Sequence, residues 1–124
     1  SRIKTVLGES FYDMKVFLFL ILYLEQDSND VLLQNGFSGT EAYFRQKLDH
    51  FDNKSDATWL QRYFYNQRYH QPGGNAVFLM LGGAGVLDIM WVYREEIPFV
   101  HWAKERGALI FALEHRFYGK SRPT

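Results

Sequence analysis

Residues 76–113 read AVFLMLGGAGVLDIMWVYREEIPFVHWAKERGALIFAL, and the alternation inside this stretch decides the fold. Ala76–Leu81 and Ala108–Leu113 are unbroken apolar runs of strand length, which predicts strands buried on both faces. Between them Pro98 suits an early helical position, with Glu95 and Glu96 just before it and Phe99, Trp102 and Ala103 assigned to one face. Lys104 and Arg106 then precede Gly107. Acid before the start, base near the end and glycine beyond it match the helix dipole and a left-handed cap, so a helix is predicted over Pro98–Arg106. The stretch Asp88–Glu96 adds a further helical candidate. Two such strands joined through a helix make a βαβ unit with a right-handed crossover, and the fold class is α/β.

Toward the N-terminus, Tyr43–Phe51 and Trp59–Tyr65 are rich in aromatic residues and flank the polar cluster Asp52–Asp56. So short a connection predicts an antiparallel pair, and Gln71–Asn75 a second turn. An antiparallel strand pair followed by a βαβ unit gives a mixed sheet. Further upstream, Met14-Lys15 followed by the apolar run Val16–Leu24 has the pattern of a signal peptide and is too short for a membrane span. The expected organisation is an upstream leader over 1–13, signal peptide and linker over 14–40, and the folded portion over 41–124. Asn53-Lys54-Ser55 is an acceptor sequon for N-glycosylation, meaningful together with the signal peptide, which would deliver the loop to the glycosylation machinery.

The charges narrow the partners. Fourteen Lys and Arg balance fourteen Asp and Glu, so no long-range field favours nucleic acid or anionic lipid. With no such field, Trp59, Tyr63, Phe64, Tyr65 and Tyr69 read as core or rim rather than as a base-stacking platform. The absence of cysteine removes disulfides and thiolate chemistry from this stretch. His50, His70 and His101 lack metal-ligand spacing and read as structural, so neither metal nor cofactor is expected.

Functional groups in such sheets gather beyond the carboxyl ends of the parallel strands. Two loops qualify, Gly82-Gly83-Ala84-Gly85 and Glu114–Gly119. A glycine-rich turn aims backbone N–H groups at an anion. One such anion is a dinucleotide pyrophosphate, with Glu114 offered to a ribose hydroxyl, but that pattern needs a third glycine where Asp88 stands. The other is the oxyanion of an acyl-transfer intermediate, for which the N–H groups of Gly83 and Ala84 are the candidates. His115 is rejected as a general base because the chain contains no Gly-x-Ser-x-Gly elbow. Glu114-His115-Arg116 reads instead as a hydrogen-bonded cluster that fixes its loop.

Four strings carry a resemblance: FRQKLDHF at 44–51, QRYFY at 61–65, VFLMLGG at 77–83 and EHRFYGKSRP at 114–123. In order and spacing they resemble the opening region of the serine peptidase family that includes lysosomal Pro-X carboxypeptidase, dipeptidyl peptidase II and thymus-specific serine protease. The resemblance implies the N-terminal part of an α/β-hydrolase domain, a Ser-Asp-His triad, and exopeptidase cleavage of proline-containing peptides by a secreted or lysosomal enzyme. It places the triad beyond Thr124, so no catalytic residue transfers to this stretch. Where the family commonly has an acid, this chain has Ala84. That departure keeps open an inactive secreted binding protein of the same fold, and a nucleotide-binding α/β domain is the third reading.

Overall fold

The computed structural model describes residues 12–15, 17–18, 39–71, 74 and 76–123. Its elements are β1 Thr40–Lys47, β2 Thr58–Asn66, β3 Val77–Leu81, α1 Met90–Tyr93, α2 Pro98–Glu105 and β4 Leu109–Leu113. Residues 12–15 and 17–18 are also helical. The four strands form one sheet in the order β1-β2-β4-β3. β1 runs antiparallel to β2, with Thr40 opposite Tyr65 and Lys47 opposite Thr58. β2 is antiparallel to β4, and β4 is parallel to β3 from Val77 opposite Leu109 to Leu81 opposite Leu113. The expected hairpin and βαβ unit therefore share one mixed sheet.

The period-2 alternation of the strands sorts side chains into two layers. Phe64, Ile110 and Ala112 face α1 and α2, where they pack with Leu87, Val92, Val100 and Ala103. Leu109, Phe111 and Leu113 face the other way, with Phe44, Tyr63, Tyr65, Val77 and Leu79 beside them. On that second face Phe17 is fully buried, its ring edge-on to Phe44, Tyr63 and Phe111 at centroid distances of 4.9–5.9 Å. Most of the segment read as leader and signal peptide lies outside the described residues, as do Pro72, Gly73 and Asn75 of the predicted second turn.

Four sequence expectations change in detail. β1 ends at Lys47 rather than Phe51, because the Asp49 carboxylate accepts the Phe51 N–H at 2.9 Å and forms a turn that competes with the ladder. β3 is half-buried rather than buried on both faces, and Leu81 is half exposed, because β3 lies at the edge of this sheet with β4 on one side alone. In α2 the buried residues are Val100 and Ala103, whereas Trp102 is 57% exposed. At about 100° per residue Trp102 sits roughly 200° around from Val100, on the solvent side. The Asp88–Glu96 stretch condenses to the single turn Met90–Tyr93. Pro98 does open α2, and Gly107, at φ 59°, closes it with its N–H on the Lys104 carbonyl at 3.2 Å.

Candidate functional site

Parallel strands β3 and β4 end side by side, and the chain leaving each forms a loop at the same end of the sheet. The first loop, Gly82–Leu87, starts close against its neighbour. The Gly82 N–H donates to the Leu113 carbonyl at 2.8 Å, and a Cβ at Gly82 would lie 3.2 Å from both the Leu113 oxygen and the His115 nitrogen. Glycine permits that approach. The chain then turns away. Gly85 N–H donates to the Gly83 carbonyl at 3.0 Å, while the amides of Gly83 and Ala84 make no hydrogen bond to a described residue, and the space a Gly83 Cβ would take is open.

The second loop is built around buried charge. Glu114 is fully buried, with its carboxylate shared four ways. Oε2 accepts from Arg62 Nη2 at 2.6 Å and from the Leu87 N–H at 3.0 Å. Oε1 accepts from the N–H groups of Lys120 at 3.0 Å and Ser121 at 3.1 Å. Burial would push this carboxyl's pKa up, but the hydrogen bonds from Arg62, Leu87 and Ser121 and the guanidinium charge outweigh burial and hold it below the usual carboxylate range. Arg62 also donates to the Leu87 carbonyl at 3.3 Å, and the Ser121 hydroxyl accepts the Arg62 N–H at 2.9 Å. Gly119, at φ 52°, lies so near Glu114 that any Cβ there would run into the carboxylate.

Two residues further on, Arg116 is buried against a different acid. Its Nη2 and Nε donate to Asp13 at 2.7 and 2.8 Å, and its remaining donors reach the Leu48 and Lys47 carbonyls at 2.8 and 3.2 Å. The guanidinium lies 5.0 Å from the Trp59 ring centroid, and His50 Nε2 is 2.7 Å from the same Asp13 carboxylate. A row of buried amides links the groups: Gln46 Nε2 donates to the Gln61 side-chain oxygen at 3.1 Å, and Gln61 Nε2 to the Glu114 carbonyl at 2.8 Å. Between Gln61, Gly82, Glu114, His115 and Asp13 a cavity of about 30 Å³ remains, room for one water.

Of the residues singled out from sequence, Gly83 and Ala84 sit together on the first loop, and Asn53 lies exposed in the turn joining β1 and β2. Glu114, His115 and Arg116 do form a hydrogen-bonded cluster, with His115 Nδ1 2.6 Å from the Arg116 carbonyl. Its two charged members pair elsewhere, with Arg62 and Asp13, and not with each other. The sequence reading missed Arg62. Its signal was a charge inside the aromatic strand QRYFY, where an arginine on the buried face demands a carboxylate. Among the described residues no group of three or more His, Cys, Asp or Glu is placed to hold a metal ion. No helix among them is long and apolar enough to cross a membrane. A broader depression of about 720 Å³, lined by Ala76, Phe78, Trp102, Glu105 and Arg106, lies at the other end of β3.

A family model described as Serine carboxypeptidase S28 matches residues 46–124. A protein of Caenorhabditis elegans with a serine-protease designation is 46% identical over 80 residues, 64% of this chain and 15% of that protein. Human lysosomal Pro-X carboxypeptidase is 35% identical over 81 residues, 65% of this chain and 16% of the enzyme. Human thymus-specific serine protease is 38% identical over 82 residues, 66% and 16% respectively. The chain thus spans about one-sixth of the length of the curated relatives it matches.

Proposed function

Because this chain belongs to the serine carboxypeptidase S28 family, we propose that the protein of which it is part is a serine-type exopeptidase that removes residues from proline-containing peptides. The observation that carries the reading is the family match over 46–124 together with the strand order β1-β2-β4-β3 and the amide-bearing loop at the end of β3. In an α/β-hydrolase the loop after this strand lends one N–H to the oxyanion hole. The Gly83 and Ala84 amides are the candidate donors, a role supported by their place on the loop after β3 and by the lack of a hydrogen-bond partner among the described residues. Such donors act on charge that develops only in the transition state, and one of them is worth about 2.7–4 kcal/mol. The reading follows the acyl-enzyme scheme of a Ser-His-Asp enzyme, and none of its three catalytic side chains is assigned to a residue of this stretch. The substrate is a peptide, and the reading calls for no metal or cofactor.

The test uses the full-length protein. Covalent labelling by a fluorophosphonate and turnover of short proline-containing peptides are the expected results. An absence of both, in folded protein, would overturn the reading and favour the inactive binding protein that Ala84 raises.

A secreted or lysosomal location is part of the proposal. Its support is the exposed Asn53 sequon and the lysosomal designation of a relative. Expression in a secretory host should give a glycosidase-sensitive mass that Asn53→Gln removes; unglycosylated, unsecreted protein would contradict it.

A further inference from the structure

The first loop is held at both of its ends, by the last residue of β4 and by the residue that follows it, and among the described residues no hydrogen bond from either reaches it in between. At one end Gly82 N–H is held by the Leu113 carbonyl, and at the other Leu87 N–H is held by the Glu114 carboxylate. The two anchors are consecutive residues. Four residues, 83–86, bridge between these ends, and they include the two unengaged amides. The second oxygen of the same carboxylate holds the amides of Lys120 and Ser121 in the neighbouring loop, while Arg62 grips Glu114 and the Leu87 carbonyl together.

We propose that Glu114 is a positioning residue for catalysis, setting the place of the Gly83 and Ala84 amides by clamping Leu87. It touches no substrate. It acts through the backbone, converting a buried carboxylate just beyond β4 into a fixed end-point for the loop after β3. The inference rests on the peptidase reading for its chemical consequence and on the hydrogen bonds alone for its structural one. A donor loop released at one end misplaces its amides by an ångström or so, and an error of that size costs on the order of 100-fold in rate. Because the amides are engaged in the transition state, the loss should fall on kcat and not on KM.

The test compares wild-type full-length protein with Glu114→Gln and with Glu95→Gln. Glu95 is an exposed carboxylate bound to Tyr69 and Lys104, remote from the clamp. For Glu114→Gln the expected results are a fall in kcat of about 10- to 100-fold, KM within about threefold, and hydrogen exchange of the Leu87 amide faster by about tenfold while 109–113 stay protected. Glu95→Gln should change none of these. Unchanged kcat and unchanged exchange at Leu87 would overturn the proposal, as would equal acceleration of exchange in every strand, which reports general destabilisation. If Glu114→Gln does not fold, the wild-type protein decides by residue-resolved exchange: Leu87 should be protected like β4, and Gly83 and Ala84 should not. A Leu87 amide as fast as Gly83 overturns the clamp. If the wild-type protein has no peptidase activity, the functional reading fails, while the exchange arm still reports on Glu114.

Discussion

The two loops that leave β3 and β4 occupy equivalent places in the fold and have been built by opposite means. The loop after β3 begins with glycine and alanine, leaves the amides of Gly83 and Ala84 without a hydrogen-bond partner among the described residues, and leaves the place of a Gly83 Cβ open. The loop after β4 is dense with charge, and two of its charges, Glu114 and Arg116, are buried and spend their hydrogen-bonding capacity on backbone and ion-pair partners. The contrast teaches a division of labour. A loop that must offer bare N–H groups cannot also use them to hold itself in place, so its position has to come from a neighbour. Here the neighbour supplies Leu113 and Glu114.

The largest effect should come from removing the cation that makes the second loop's buried acid tolerable. Arg62→Met keeps most of the apolar stem and leaves Glu114 buried without its charge partner. Breaking a buried pair from one side costs about 3–5 kcal/mol, because the remaining charge is left uncompensated. The denaturation midpoint of the intact protein should fall accordingly. A cost below about 1 kcal/mol, the range of exposed pairs, would mean that the second loop is not held by its charges.

Gly119→Ala attacks the same loop without touching any charged atom. The residue sits at φ 52°, where a side chain costs roughly 1 kcal/mol, and its new Cβ would displace the Glu114 carboxylate from the Lys120 and Ser121 amides. Together these give an expected loss of about 2–3 kcal/mol, smaller than for Arg62→Met because the ion pair itself survives. Chemical denaturation of the two variants side by side gives the ranking. A harmless alanine would show that the carboxylate has room to move, and the contrast between the loops would weaken.

Much of this was legible in the sequence, and the part that was not has a physical cause. Unbroken apolar runs gave β3 and β4, and capping chemistry at Pro98 and Gly107 bounded α2 to within a residue. Local pattern also placed the glycine turn. The partners of Glu114 and Arg116 lay out of reach because they are 52 and 103 residues away along the chain. The Arg62–Glu114 pairing is decided by sheet order, which brings β2 beside β4, and the Asp13–Arg116 pairing by how the N-terminal helical residues lie against the sheet; no local periodicity encodes either. Half-burial of β3 escaped for the same reason, since an apolar run reads alike in a central strand and at an edge. Yet the clamp residues were on view. Gln46, Gln61, Arg62, Glu114, Gly119 and Ser121 all fall inside the strings that carry the family resemblance, so those strings describe a polar framework more than a hydrophobic core.

The smallest effect belongs to the other side of the comparison. Gly83 is not among the glycines at positive φ, and a Cβ added there meets nothing within 4 Å. Gly83→Ala should therefore leave stability within about 0.5 kcal/mol of the parent, and the reduced freedom of the unfolded chain tilts the sign toward stabilisation. This sets a sharp condition on the contrast, because a glycine in a turn is ordinarily read as a conformational necessity. A loss of more than about 1 kcal/mol in the denaturation midpoint would show that the first loop is packed against something in the intact protein and holds itself. An unchanged midpoint would show that glycine at 83 serves the open space in front of the amide, where an approaching oxygen would otherwise meet a methyl group.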